Sequence, residues 1–188
     1  HQVICLGHRG GGRSSGEQDS WYLDQWAEDI AAFCNTLGIH ASVLFGQSFG
    51  GMVAMHFAVR YPASLSKLIL SSTAAQFRLD ETMKMMRQLG GEHAAEVAHQ
   101  FFSAPSQAAY DTYGEVCLPL YSNPNAPDAG AFRDRAIQRP EVAIHFFQDE
   151  MARMDMRAEI ADIRCPTLVI GGTVDPVTPS ICSHAIAD

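Results

Sequence analysis

The stretch GQSFGG, residues 46–51, limits what this chain can fold into more than any other feature. An apolar run over Ser42–Phe45 leads into it, and a helical pattern over Phe49–Arg60 follows at once. A serine between a strand and a helix lies on a strained turn that presents its Oγ outward. The context therefore predicts a strand–turn–helix elbow with Ser48 at its tip.

The glycines around this serine and the start of the following helix indicate what the elbow can do chemically. Gly46 and Gly50 are expected to let the backbone pass close to neighbouring elements, where side chains would clash. The positive end of the following helix and the Phe49 amide can stabilise an oxyanion. We expect Ser48 to be a nucleophile; the alternative is a tight glycine turn with an incidental serine.

The spacing of apolar residues predicts a parallel sheet with crossover helices. Leu23, Trp26, Ile30 and Cys34 fall at helical spacing, and Gly38 follows where a helix C-cap is expected. Strands are predicted at Val3–Leu6 (a buried strand), Ser42–Phe45, Leu65–Ser71 and Thr167–Gly171. Strands alternating with helices at this spacing indicate an α/β fold.

A helical segment interrupts this alternation. Short, Met-rich amphipathic helices are predicted at Asp80–Gln88, Glu92–Phe102, Ala108–Leu118 and Glu141–Met154. We therefore divide the chain into a first core part at residues 1–74, an inserted cap at 75–160 and a second core part at 161–188. The cap methionines Met83, Met86, Met151 and Met154 either line an adaptable apolar pocket or fill the core.

An acid and a base are needed beside a serine nucleophile. Asp175 follows the last predicted strand, so it lies at the sheet edge from which Ser48 also emerges; alternatively it only begins an Asp-Pro turn. His184 follows too soon, inside a predicted helix, to reach Ser48. Among the histidines before the acid, His8 has the best claim to lie near the pocket. The favoured expectation is that the catalytic histidine lies beyond residue 188.

Composition excludes several classes of function. The net charge of −8 argues against non-specific binding to nucleic acid or to an anionic membrane surface. No apolar run approaches a membrane span and the N-terminus lacks a signal-peptide pattern, so we expect a cytoplasmic protein. The five scattered cysteines indicate reduced thiols, and no residue cluster has metal-ligand spacing, so neither a metal nor a cofactor is expected.

The glycine run GHRGGGRSSG, at residues 7–16, has the spacing of a phosphate-binding P-loop but not its context. Arg13 stands where that loop has Lys, and Arg is not an equivalent substitute. The polar residues after Ser14 are not expected to begin a helix before about Ser20, whereas a P-loop needs a helix at once. We predict a turn beside the catalytic edge.

Several motifs together resemble the α/β-hydrolase superfamily, and within it the proline-iminopeptidase-like group. They are GHRGGGRSS after an early strand, VLFGQSFGGMVAMHFAVRYPASLSKLILSST around the elbow, and IRCPTLVIGGTVDPVTP around the acid. The resemblance implies a partial α/β-hydrolase fold, with a mostly parallel sheet and an inserted helical cap. The group's oxyanion segment before the glycine loop and its terminal G-x-x-H loop have no match, so the chain looks truncated at both ends.

The resemblance implies a serine hydrolase acting through an acyl-enzyme on Ser48, with Asp175 orienting the base. Release of an N-terminal residue from short peptides is the favoured activity, and a small molecule or short peptide the expected partner. Such an aminopeptidase needs an acidic group for the substrate ammonium, and Glu150 and Asp149 on a predicted cap helix are candidates for it. Gln47, the residue before the nucleophile, is a further candidate substrate-binding residue. The alternatives are a carboxylesterase or lipase-like hydrolase, and a non-catalytic fragment or interaction module.

Overall fold

The computed structural model describes residues 2–123 and 135–188 of the chain. Its sheet has three parallel strands in the order β1 (Ser42–Gln47), β2 (Leu65–Ser71) and β3 (Thr167–Ile170). The parallel α/β arrangement expected from the sequence is confirmed. Because all three strands run the same way, their carboxyl ends meet at one edge, where Ser48 and the loop after β3 emerge.

Two helices cover one face of the sheet. α1 (Leu23–Thr36) packs on α2 (Phe49–Arg60), and α2 packs on β1 and β2. The core between them includes the fully buried Trp26, Phe57 and Leu68. Gly38 follows α1 with a φ of 63°, a left-handed conformation that glycine adopts without strain, as its capping position predicts.

The opposite face of the sheet is open in the described part of the chain. Val43 and Phe45 of β1 and Leu168 and Ile170 of β3 are 47–58% exposed, and the residues between them, Leu44 and Val169, are half-buried. The alternation follows from the strand period of two. The sheet is thus half-covered by the residues that the structure describes.

The described residues between β2 and β3 form helices and turns. They are α3 (Leu79–Ser103), α4 (Gln107–Val116), α5 (Pro140–His145), a π-helical turn at Phe146–Glu150, α6 (Met151–Arg153), and 3₁₀ turns at Leu118–Tyr121 and Glu159–Asp162. Two further 3₁₀ turns, Gln18–Ser20 and Pro62–Ser64, lie elsewhere, and α7 (Ser180–Ala187) follows β3. The two helices predicted at 80–88 and 92–102 form one element with a kink at Gly91, whose φ is 77°. Residues 124–134 of the predicted cap lie outside the described residues.

The two ends of this helical segment meet at a short neck. Gln76 and Asp155 form an isolated antiparallel bridge, and the Met156 amide donates to the Ala75 carbonyl oxygen at 2.9 Å. A second hydrophobic cluster, separate from that of the sheet, forms around Met86, Phe101 and Tyr113. These contacts suit an inserted unit, while the limits 75–160 stay a prediction.

The prediction of a buried strand at Val3–Leu6 is wrong. Among the described residues this run pairs with no strand, and Val3, Ile4 and Leu6 are 82%, 46% and 44% exposed. An apolar run forms a strand only when a neighbour accepts its hydrogen bonds, and within residues 2–123 and 135–188 the one strand paired with β1 is β2. The spacing of apolar residues indicates that a segment can form a strand, but it does not show whether a neighbouring strand is there to pair with it.

Candidate active site

Ser48 lies on a strained turn at the carboxyl end of β1. Its φ of 50° and ψ of −120° are unfavourable for a residue with a side chain, at a cost of about 1–3 kcal/mol. The surroundings hold it there: the Ser48 amide donates to the Ser71 carbonyl oxygen at 2.9 Å, and its own carbonyl oxygen accepts from the Gly51 and Met52 amides and from Thr73 Oγ1. The elbow predicted from the sequence is present.

The close approach behind the elbow involves Gly46 and Gly51. A Cβ on Gly46 would lie 2.4 Å from the Gly50 carbonyl oxygen, and one on Gly51 would lie 2.6 Å from the Thr73 side chain. A Cβ on Gly50 would meet nothing within 4 Å. The expected steric need for glycine is therefore correct at Gly46 but wrong at Gly50, and it applies to Gly51, which sequence reasoning did not single out.

A cavity of about 340 Å³ opens at Ser48. Apolar and aromatic side chains dominate its described lining, among them Phe49, Met52, Val142, Phe146, Phe147 and Met151. The polar members include His8, Ser48, Gln138, Arg139 and Thr178. No Asp or Glu of the described residues is part of this lining.

Asp175 lies in the loop after β3. Its Oδ1 accepts hydrogen bonds from the Val177 and Thr178 amides at 2.9 and 2.8 Å, and these two residues line the Ser48 cavity. Thr82 Oγ1 anchors the loop by donating to the Val177 carbonyl oxygen at 2.9 Å. The second carboxylate oxygen accepts no hydrogen bond from the described residues. The geometry suits both an Asx turn and an acid that orients a base.

The chain matches the family described as alpha/beta hydrolase fold over residues 1–185. It belongs to the α/β-hydrolase family. It is 25% identical to a 3-oxoadipate enol-lactonase from Acinetobacter baylyi, over 98% of this chain and 67% of that protein. It is 28% identical to a proline iminopeptidase from Clostridium botulinum, over 87% of this chain and 60% of that protein.

A solved structure of a thermophilic esterase from Thermogutta terrifontis is also similar, with a TM-score of 0.67 and 27% identity. The match covers 96% of this chain and 64% of that one. The chain thus spans about two thirds or less of the length of these three relatives. Their names differ in substrate, so they support a hydrolase in general.

His8 enters the cavity of this α/β hydrolase from the glycine loop, as its sequence position suggests. Its ring packs on the Phe49 ring at 4.8 Å between centroids, and Gly11 leaves the space that the ring occupies. Burial lowers the pKa of His8 below its ordinary value, and the nearby Asp29 carboxylate opposes that shift. No hydrogen bond joins His8 to Ser48 or Asp175 in the structure. His184, by contrast, is exposed on α7.

The glycine loop is a turn beside the site, as predicted, and not a phosphate cradle. Its backbone folds on itself through hydrogen bonds such as Ser14 amide to Gly11 carbonyl at 2.9 Å, and Gly11 and Gly12 line the cavity. No helix begins at Arg13 or Ser14, and the first helical turn is Gln18–Ser20. The amides of this loop therefore do not converge with a helix dipole, as a P-loop requires.

Glu150 has a different partner from the one expected. Its Oε2 accepts a hydrogen bond from the Leu23 amide at the start of α1, at 2.9 Å, and Oε1 accepts from Arg153. Glu150 and Gln47 are both absent from the described lining of the Ser48 cavity. Leu23 lies far from Glu150 in sequence, so no local pattern could have indicated this contact.

Sequence reasoning also missed the π-helical turn at Phe146–Glu150, which forms one wall of the cavity. Single π-helical turns inside helices are rare and often occur at functional sites. Phe146 contacts the Phe49 ring at 4.9 Å, directly beside Ser48. The consecutive Phe146 and Phe147, both buried or half-buried, were the available signal, because an α-helix does not usually bury two neighbours on one narrow face.

Two further features of the described residues bear on function. They contain no cluster of three or more His, Cys, Asp or Glu side chains arranged to hold a metal ion. Among them there is also no helix with the length and apolar character that crossing a bilayer requires.

Proposed function

We propose that the protein is a serine hydrolase that cleaves carboxylic esters or lactones through an acyl-enzyme on Ser48. The observation that carries the proposal is the strained Ser48 elbow opening onto an apolar cavity whose described lining has no carboxylate. The strain is held by the buried Thr73 and by β2, which fits a preorganised nucleophile. The match to the α/β-hydrolase family supports hydrolysis in general.

The proposed reaction has two balanced steps. Ser48 Oγ attacks the acyl carbon while its proton passes to a histidine base, and the leaving alcohol takes that proton as the acyl C–O bond breaks. Water then attacks the acyl-enzyme, releases the carboxylic acid and restores Ser48. Phe49 is the first residue of α2, and the first amides of a helix have no intrahelical acceptor, so the Phe49 amide is the proposed oxyanion donor.

The acid in this mechanism is Asp175, which orients and stabilises the protonated base. Two loop amides hold its Oδ1, and Oδ2 is left for the imidazole. The base itself stays the prediction made from chain order, a histidine beyond residue 188. His8 is the alternative base because it lines the cavity, although it makes no hydrogen bond to Ser48 or Asp175.

The charge of the cavity favours an ester over a peptide with a free N-terminus. An aminopeptidase must bind its substrate's ammonium group, and an uncompensated cation in an apolar site is costly. Arg139 and His8 are the basic members of the described lining, and Glu150, the expected acidic partner, is bonded to α1. The proline iminopeptidase relative keeps the aminopeptidase interpretation as the second candidate.

Substrate comparison tests the proposal. We expect hydrolysis of p-nitrophenyl butyrate with kcat/KM at least 100-fold above that for proline 2-naphthylamide, and loss of turnover in Ser48→Ala and in Asp175→Asn. The reverse preference would establish the aminopeptidase instead. Absence of Ser48-dependent turnover on both substrates, in a protein that includes the proposed histidine base, would favour a non-catalytic interaction module.

A further inference from the structure

A second cavity, of about 590 Å³, lies against the far side of the π-helical turn. Its lining comes from the start of α3, from the end of α3 and from the segment around α6. The apolar members are Phe77, Leu79, Phe102, Phe147, Met151, Ala152 and Met154. It is distinct from the Ser48 cavity but directly adjoins it.

Two side chains form the wall between the cavities. Phe147 and Met151 are the residues that line both. Met151 is only 4% exposed, and the Phe147 ring packs on Phe101 and Phe102 at 5.0 and 5.1 Å between centroids. Phe147 and Met151 therefore lie between the two cavities.

The π-helical turn explains how one short segment serves both sides. Phe146 packs toward Phe49 beside Ser48, while its neighbour Phe147 packs toward Phe102 in the second hydrophobic cluster. Met151 follows directly after the turn, and methionine is unbranched and conformationally adaptable. Shortening either side chain leaves the turn itself in place, so these two residues can be varied without removing an element of the fold.

The polar residues around the second cavity are already paired with protein groups. Gln76 Nε2 donates to Asp155 Oδ2 at 3.1 Å, Arg153 donates to Glu150, and Ser103 Oγ lies 3.5 Å from His99 Nε2. The lining is about equally polar and apolar, and with these polar groups paired its apolar members are the ones available to an alkyl chain.

We propose that Phe147 and Met151 set the length of the acyl chain that the protein accepts. This inference rests on the proposed ester hydrolysis at Ser48. With both side chains in place, the acyl chain ends within the Ser48 cavity; with either one shortened, a longer alkyl chain extends into the second cavity. Phe147 and Met151 are thus specificity-determining residues.

A series of p-nitrophenyl esters with acetyl, butyryl, octanoyl and decanoyl groups tests the proposal. In Met151→Ala, the octanoate-to-butyrate ratio of kcat/KM should rise about fourfold for each methylene that passes the wall, since each buried methylene contributes about 0.8 kcal/mol. Phe147→Leu should shift the ratio in the same direction. The matched control is Met156→Ala, which removes another buried methionine, 5% exposed, from the same cluster but lines neither cavity.

The proposal is overturned if the ratio in Met151→Ala changes by less than twofold, or if Met156→Ala changes it equally. Because both variants lose a buried methionine, general destabilisation affects them alike, and far-UV circular dichroism at the assay temperature shows that each is folded. Phe147→Leu keeps the test decisive if Met151→Ala does not fold.

Calorimetric binding of decanoate and butyrate separates this inference from the proposed reaction. We expect Met151→Ala to bind decanoate at least tenfold more tightly than the wild type, and its decanoate-to-butyrate affinity ratio to rise by at least the same factor. Equal decanoate affinity in the two proteins would overturn the inference. Tighter decanoate binding without any esterase activity would support the role of Met151 in limiting chain length. It would overturn only the proposed function.

Discussion

The Thr73 hydroxyl donates a hydrogen bond to the Ser48 carbonyl oxygen, 2.7 Å away, and Thr73 is 1% exposed. Two backbone amides of α2 share the same acceptor. Thr73 also fills the space against Gly51, so one buried side chain fixes both the elbow and the start of the helix. The reactivity of Ser48 should therefore depend on a residue that sequence patterns did not indicate.

Replacing Thr73 with valine keeps its shape and removes this hydrogen bond. We expect Thr73→Val to lower the free energy of unfolding by about 1 kcal/mol, because the carbonyl keeps its two amide donors, and to slow labelling of Ser48 by a fluorophosphonate. Urea denaturation and timed labelling measure the two effects. Thr112→Val is the control, since Thr112 is exposed on α4 and bonds Ala108 in its own helix; it should change stability by less than about 0.5 kcal/mol. Equal effects of the two variants would contradict the role assigned to Thr73.

Gly50 and Gly51 should respond oppositely to alanine. Gly51→Ala places a Cβ 2.6 Å from the buried Thr73, which has no room to move, so we expect a loss of about 1–3 kcal/mol in the free energy of unfolding. Gly50→Ala meets open space on a helix and should be neutral or stabilising by up to about 1 kcal/mol. Chemical denaturation of both variants measures the difference, and equal losses would disprove the packing described behind the elbow.

His8 should make the fold sensitive to mild acid. Burial lowers its pKa below the ordinary value of 6.5, so the unfolded chain takes up the proton at a higher pH than the folded one. The stability associated with neutral His8 is complete above about pH 6.5 and declines as the pH falls below it. Asp29, paired with Arg9, lies close enough to weaken this effect.

Denaturation midpoints at pH 7.5, 6.5 and 5.5 measure this dependence. The loss of stability between pH 6.5 and 5.5 should be smaller in His8→Gln than in the wild type. His184→Gln, which replaces an exposed histidine, should retain the wild-type loss. An unchanged loss in His8→Gln would show that this histidine does not link folding to protonation.

Local patterns in the sequence predicted the elements around the elbow closely. The apolar runs of β1 and β2 and the helix after Ser48 have strong local determinants, and the helix Phe49–Arg60 agrees at both ends. Val3–Leu6 has the same apolar character but no pairing neighbour among the described residues, and pairing is a tertiary property. A local sequence pattern is sufficient to predict a segment whose own residues determine its conformation. It is insufficient for a segment whose conformation depends on pairing with a residue distant in sequence.

The candidate site was likewise predictable only where its residues follow from local signals. Ser48 and Asp175 follow from strand ends and turn residues, which are local signals. The Glu150–Leu23 contact joins residues 127 positions apart, and the wall formed by Phe147 and Met151 depends on a π-helical turn that no periodicity indicates. The charge and shape of the described cavity lining, on which the proposed ester hydrolysis rests, came only from the three-dimensional arrangement.

Covalent labelling tests the central claim, that Ser48 is an activated nucleophile, most directly. The protein is treated with a fluorophosphonate probe and the labelled peptide is located by mass spectrometry, with Ser48→Ala and Ser66→Ala as paired variants. Ser66 is an exposed serine at the start of β2, at the opposite edge of the sheet. Labelling confined to the Ser48 peptide, lost in Ser48→Ala and kept in Ser66→Ala, is the expected result; labelling that persists in Ser48→Ala would contradict the account.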